Sequence, residues 1–276
     1  MEGSGSGGAS VIIRVRNEAR SLARCLALVA GQRGLGGPPE VIVVDSGSDD
    51  GSAAVARRAG ARVVSIAPAA FSFGGALNLG AQTAGHEALV SLSAHTFPPD
   101  DRWLARLVAT LTADAEHVAC AGGDAYGPDG RRLPTAIAQD AALARRRPEW
   151  GYSNAAGAFR ASLWRRRPFR IDLPGCEDKE WALHWLTAGY RCVIDPALVV
   201  SHDHTHDRVR AIYGRARREA LGYAAFLPVD SGPGGGGLRG LARTWWSDTR
   251  WYDSAARARL SHRRAARLLG AYAGRR

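Results

Sequence analysis

Three groups of residues in this 276-residue chain have the types and spacing to do chemistry. The first, Asp45-Ser46-Gly47-Ser48-Asp49-Asp50-Gly51, follows directly on the apolar run 40–44. A carboxylate at the carboxyl end of a buried strand stands where open α/β sheets bind ligands. Asp45 could accept a hydrogen bond from a base or a ribose, and the backbone N–H groups around Gly47 could meet phosphate oxygens. The same residues also suit an Asx-turn, with Asp49 or Asp50 capping the next helix. The second group is Glu177-Asp178 at a helix start, where Asp178 is either a general base or an acid that favours the helix dipole. The third is histidine. His95 ends a strand, and His202, His204 and His206 alternate, so an extended backbone points those three to one side. Imidazole suits Mn²⁺ or Zn²⁺ better than Mg²⁺, which prefers oxygen. The plainer alternative is a polar strand end and a solvated loop.

These groups need a framework, and hydrophobic periodicity supplies one. Residues 11–16, 40–44, 62–66, 88–93, 118–122 and 191–194 read as strands. Residues 19–30, 52–59, 73–84, 103–111 and 179–188 read as helices, the first with Leu22, Cys25, Leu26 and Val29 on one face. Residues 127–130 read as a hairpin turn. Strand and helix alternating through short loops predicts an α/β fold, a Rossmann-like and mostly parallel sheet flanked by helices. Residues 1–10 read as a flexible N-terminus, 11–228 as one domain, 229–237 as a Gly-rich linker and 238–276 as a basic helical tail.

Composition narrows the function classes. With 46% apolar and 23% charged residues the chain is not disordered, and no apolar stretch reaches the 18 or more residues of a membrane span. The start lacks the charged region of a secretory signal, so the expectation is a cytoplasmic protein. Cys25, Cys120, Cys176 and Cys192 form no CxxC pair and read as buried thiols. The net charge is +11, and Lys179 is the only lysine. Arginine bias from a GC-rich genome explains part of this. The rest suits phosphate-bearing ligands or peripheral contact of the tail with an anionic membrane face. No helix-turn-helix, zinc-finger or RNA-binding aromatic signature supports a nucleic-acid partner.

VIIRVRNEARSLARCL followed by EVIVVDSGSDDGS resembles the opening of a family 2 glycosyltransferase of the GT-A fold. FSFGGALNLGAQTA is similar to a segment of its bacterial rhamnosyltransferase-like branch, and SNAAGAFRASLW and PGCEDKEWALHW resemble its acceptor-side signature. The likeness covers roughly residues 10–225, with the motifs in order. It implies an inverting transfer of a sugar, rhamnose being the candidate, from a nucleoside diphosphate to a hydroxyl acceptor. The acceptor would be a surface glycan, a lipid-linked glycan or a small molecule. It implies that Arg14, Asn17, Glu18, Asp45, Gly47, Asn78 and Ser93 line the nucleotide-sugar site, and that Glu177-Asp178 is the catalytic pair with Asp178 as base. Trp150 and Asn154, just upstream of that pair, are candidate acceptor contacts, with core and turn roles as the alternative.

The chain departs from the family at its metal motif. Where relatives carry Asp-x-Asp, it reads Ser93-Ala94-His95. The resemblance implies a divalent metal on His95 and His202, Mn²⁺ ahead of Mg²⁺. The alternative is metal-independent transfer, in which His95 as a cation or nearby arginines neutralise the leaving diphosphate. A degenerate nucleotide-binding protein without transfer activity is the competing reading. A nucleotidyltransferase is disfavoured because the paired acids near residue 95 are missing.

Overall fold

In the computed structural model the described residues are 7–202, 208–228, 237, 239–240, 242 and 254–275, with backbone alone at 254–262. The elements run β1 (Ala9–Val15), α1 (Ala19–Ala30), β2 (Glu40–Asp45), α2 (Ser52–Arg58), β3 (Arg62–Ser65), α3 (Phe73–Thr83), β4 (Ala88–Ser93), β5 (Thr96–Phe97) and α4 (Trp103–Thr112). There follow β6 (Val118–Gly122), β7 (Ile137–Gln139), α5 (Ala141–Arg146), β8 (Ala156–Arg160), α6 (Ala161–Arg166), α7 (Glu177–Thr187), β9 (Arg191–Ile194), β10 (Ser201–His202), α8 (Val209–Ala224) and α9 (Ser254–Ala273).

Eight strands form one sheet in the order β3-β2-β1-β4-β8-β6-β9-β7. The first four are parallel, β8 and β7 run against their neighbours, and β6 and β9 are parallel to each other. Side chains alternate across a strand, so a sheet covered on both faces needs apolar residues at every position. In β1, Val11, Ile13 and Val15 enter a core with Leu22, Leu26 and Leu107, while Ile12 enters the opposite core with Leu77, Trp181 and Trp185. The four cysteines are buried free thiols, and burial pushes the Cys25 thiol up to about 12.

Several boundaries differ from the sequence expectation. Residues 9–10 belong to β1, and Ser10 is fully buried, because its hydroxyl bonds Glu40 inside the sheet edge. Helix α7 starts at Glu177, which brings the whole acidic pair into its first turn. The residues after His95 form a short strand, β5, antiparallel to β10, with His202 opposite Thr96. The expected linker lies outside the described residues except at Gly237, and α9 is helical within the expected tail.

The chain leaves β1 for β2 on one side and reaches β4 on the other. That arrangement opens a crevice beyond the carboxyl ends of the strands. Val15, Asp45, Ser93, Gly122 and Ile194 end their strands at this edge, and Asn154 lies just before β8 at the same edge.

Candidate functional site

One half of the crevice is built from the loops after β1 and β2. Asp45 is 5% exposed; its Oδ2 accepts from the Ser48 N–H at 3.2 Å. Its Oδ1 is buried with no hydrogen-bond partner among the described residues. A buried carboxylate oxygen left unsatisfied costs free energy unless a ligand donates to it. Thus Oδ2 closes the turn, while Oδ1 has no donor among the described residues. Gly47 sits at φ +79°, and a Cβ there would come within 2.6 Å of Pro68. Asn17, at φ +55°, accepts the Asp49 N–H on its Oδ1 and gives its own N–H to the Ser48 hydroxyl, both at 2.9 Å. Asp50 accepts from the Ala19 and Ser52 N–H groups, so it ties the start of α1 to this loop, while Gly51 holds the N-cap position of α2. Asn17 therefore braces the loop with its side chain.

Glu18 turns away to His95, whose Nδ1 lies 2.5 Å from its Oε2. The β5–β10 pairing lays His202 against His95, with ring centroids 4.8 Å apart and planes 17° from parallel. The Trp103 indole N–H donates to the Leu198 carbonyl at 2.9 Å, which anchors the segment leading into β10. Two imidazoles and a carboxylate are a donor set that fits Mn²⁺ or Zn²⁺. Their lone pairs lie in near-parallel planes, so one ring must turn for both to reach a single ion. Among the described residues no three His, Cys, Asp or Glu side chains stand ready as a metal cluster. His204 and His206 lie outside the described residues. Ser93 ends β4 at this edge with its N–H on the Ala155 carbonyl.

The acid pair is held by a buried network. Cys176, the residue before it, adopts φ +63°, a left-handed conformation that is strained for a side chain other than glycine or asparagine. It aims Glu177 inward and leaves Asp178 half-buried at the edge. Glu177 Oε1 takes Arg14 and the Asn154 amide, both at 3.2 Å. Burial raises its carboxyl above the usual range and the Asp178 charge adds to this, while Arg14 opposes. Asp178 Oδ2 accepts the Asn154 backbone N–H at 3.0 Å, and Oδ1 accepts the Lys179 N–H at 2.8 Å. The Tyr152 hydroxyl, fully enclosed, donates to Asn154 Oδ1 at 2.8 Å. Lys179 Nζ donates to the Gly151 carbonyl, which closes the segment onto α7.

Three of the expected ligand contacts have protein partners in this structure. Asn78 faces the core: its amide donates to the Phe169 carbonyl at 2.8 Å and accepts from Phe169 N–H and Trp164 Nε1. With its oxygen and one amide hydrogen engaged, it joins α3 to the loop after α6. Trp150 is buried with its indole N–H on the Tyr126 carbonyl, in keeping with the core role that was the alternative. Asn154 is 2% exposed, with its backbone N–H on Asp178 and its amide on Glu177. Sequence reasoning missed the Tyr152 bond, the Glu18–His95 contact and the Lys179 clamp. Each joins segments whose proximity only the fold creates.

The mixed α/β sheet carries a carboxylate-lined crevice at its strand ends, where open sheets of this kind bind ligands. Residues 10–171 match Glycosyl transferase family 2, more than half of the chain, and the protein belongs to that family. It is a nucleotide-sugar-dependent glycosyltransferase. Among solved structures it is similar to a mannosyltransferase from Pyrobaculum calidifontis in complex with GDP-Man and Mn²⁺. That likeness has TM-score 0.66 and 19% identity, and covers 97% of this chain and 85% of the other. It is also similar to glucosyl-3-phosphoglycerate synthase from Mycobacterium tuberculosis with UDP, at TM-score 0.56 and 20% identity over 80% and 81% of the two chains. S. aureus TarS with UDP-GlcNAc gives TM-score 0.54 and 16% identity over 97% and 90%. At such identities these likenesses establish the GT-A-like fold. No curated protein sequence matches the chain.

Proposed function

We propose that this protein is an inverting glycosyltransferase with Asp178 as its general base. The observation behind this reading is the placement of Asp178, half-buried at the carboxyl edge, with two backbone N–H groups holding its oxygens while Glu177 is enclosed behind it. Asp178 takes the proton of an acceptor hydroxyl as that oxygen bonds to the anomeric carbon. The bond from that carbon to the nucleoside diphosphate breaks on the opposite face, which inverts the configuration. Asp45 Oδ1 accepts from a base N–H or a ribose hydroxyl of the donor, and the loop around Gly47 lies along the phosphates. His95 and His202, beside Glu18, are the residues that would hold a divalent ion; a protein of similar fold is bound to GDP-Man and Mn²⁺. Such an ion, when bound, supplies charge stabilisation for the leaving diphosphate. The likeness of residues 71–84 to the rhamnosyltransferase branch supports rhamnose as the transferred sugar. The acceptor is read as a hydroxyl of a surface or lipid-linked glycan or of a small molecule.

The test combines donor binding with turnover. Thermal shift with UDP, dTDP, GDP and CDP, each with Mn²⁺, Mg²⁺ or EDTA, reads ligand binding through stabilisation of the folded state. The expected result is a Mn²⁺-dependent shift for one diphosphate, reduced in His95→Ala. Asp178→Asn should keep that shift and lose hydrolysis or transfer of the matching sugar nucleotide by a hundredfold or more, an effect on the order of 10²–10⁴ for a general base. Substantial turnover by Asp178→Asn would remove the base assignment. An equal shift in EDTA would remove the metal.

A further inference from the structure

The excess positive charge of this protein is not spread evenly along its sequence. Residues 208–228 and 254–275, which hold α8 and α9, carry 11 arginines and one carboxylate, Glu219. The remaining 233 residues carry 26 basic and 25 acidic side chains. A genome-wide arginine bias would raise both parts alike, so it does not explain this partition. The exposed apolar side chains follow the same division. Of the six large hydrophobic residues exposed among the described residues, Val209, Tyr213 and Leu221 lie on α8 and Leu269 on α9.

The two helices form a close-packed hairpin. A Cβ on Gly270 would lie 2.3 Å from the Tyr213 carbonyl oxygen, and one on Gly274 2.3 Å from that of Arg217. Ala216, Ala220 and Ala271 fill the seam between them. The opposite side of α8 packs on the body. A Cβ on Gly222 would meet the Gly175 carbonyl at 2.1 Å, and the Tyr223 hydroxyl donates to the Pro148 carbonyl at 3.1 Å. What remains outward is the stripe Arg210, Tyr213, Arg217 and Leu221, all exposed and spaced by three, four and four residues along one helix face.

We propose that the α8–α9 hairpin docks on an anionic lipid bilayer surface. Arginines interleaved with an aromatic and aliphatic side chains on one face match a charged headgroup layer above an apolar interior. A nucleic-acid backbone would attract the arginines but would leave Tyr213, Leu221 and Leu269 in water. No helix among the described residues is long and apolar enough to cross a membrane, so the contact is peripheral. The proposal stands apart from the catalytic reading, yet it has a geometric consequence for it. Because α8 lies directly against Gly175 and Cys176, docking holds the Glu177–Asp178 turn about one helix diameter, ~10 Å, above the bilayer.

The test is vesicle flotation of the full chain with phosphatidylcholine alone and with phosphatidylcholine containing 30 mol% phosphatidylglycerol (~30%, a strongly anionic surface). Binding is expected on the anionic vesicles only, and it should weaken as salt rises. Each basic residue near such a surface is worth about fivefold in partitioning, so Arg210→Ser/Arg217→Ser/Arg218→Ser should lower it roughly a hundredfold. Tyr213→Ser/Leu221→Ser, which keeps every arginine, should lower it several-fold. An unchanged melting temperature and unchanged nucleotide response show that either variant is folded. No flotation at low salt, equal flotation on neutral vesicles, or wild-type flotation by the triple variant would overturn the proposal. So would tighter binding of random duplex DNA at the same salt, with the apolar variant unaffected. Failure here leaves the nucleotide-dependent thermal shift untouched, so the two readings fail separately.

Discussion

Arg14→Met tests the buried network behind the acid pair. The guanidinium lies 3.2 Å from Glu177 Oε1, with side-chain exposures of 15% and 6%. Methionine keeps the stem of the arginine packed and removes its charge. Glu177 is already held above the usual carboxylate range by burial and by Asp178, with Arg14 opposing. The folded state therefore binds the Glu177 proton more tightly than the unfolded chain does. Stability from this group is complete at low pH and is lost as pH rises through its folded value. Without Arg14 that value climbs further, and the loss at alkaline pH grows. Removing one partner of a buried pair costs about 3–5 kcal/mol. Glu177 keeps the Asn154 amide as a hydrogen-bond partner, so the low end, about 3 kcal/mol, is expected at pH 8. At roughly 2–4 °C per kcal/mol for a domain approaching this size, the melting temperature should fall by about 6–12 °C at pH 8. At pH 5 it should fall by less than half as much. Adding Glu177→Gln should recover most of the loss at pH 8, because the amide needs no counter-charge. The assay is the melting temperature of the three variants and wild type across pH 5 to 8. An equal drop at both ends, or no recovery in the double variant, would refute the argument.

Asn78→Ala should lower stability by about 2–4 kcal/mol, because it strands the Phe169 N–H and carbonyl and the Trp164 indole N–H. Donor affinity measured by calorimetry should stay within about twofold of wild type; a large loss there would return Asn78 to the nucleotide site. Glu40 titrates below its ordinary range: burial pushes it up, but hydrogen bonds from the Gly85 N–H and Ser10 hydroxyl and the nearby His86 outweigh that. Its contribution is therefore present above the unfolded value and is lost as pH falls through the folded one. Ser10→Ala should cost about 1 kcal/mol at neutral pH and move the acid-unfolding midpoint upward; an unchanged acid limb by circular dichroism would contradict this.

Much of the scaffold was legible in the sequence because burial on two faces imposes a local pattern. Runs such as Val11–Ile12–Ile13 and Val41–Ile42–Val43–Val44 have few uses other than central strands, and the 22, 25, 26, 29 spacing fixes the buried face of α1. The Asp45 turn and the Glu177-Asp178 helix start were readable for the same reason, since strand ends and first helical turns are chain-local features. The roles of single polar side chains were not. Asn78, Trp150 and Asn154 have hydrogen-bonding groups that suit a ligand as well as a core, and only their partners distinguish the two. Those partners lie 91, 24 and 23 positions away, at Phe169, Tyr126 and Glu177.

The sequence by itself determined the α/β alternation, the strand-end carboxylates and the charge of the C-terminal segments, because each follows from residue type at short spacing. The tertiary structure decided that Glu18 turns to His95, that His202 lies on His95, and that Tyr152 and Asn154 support Asp178. It also placed α8 against the residue preceding the acid pair. Hydrogen bonds and ion pairs act over a few ångströms in space whatever the separation along the chain. Which distant groups come within that range depends on strand order and helix packing.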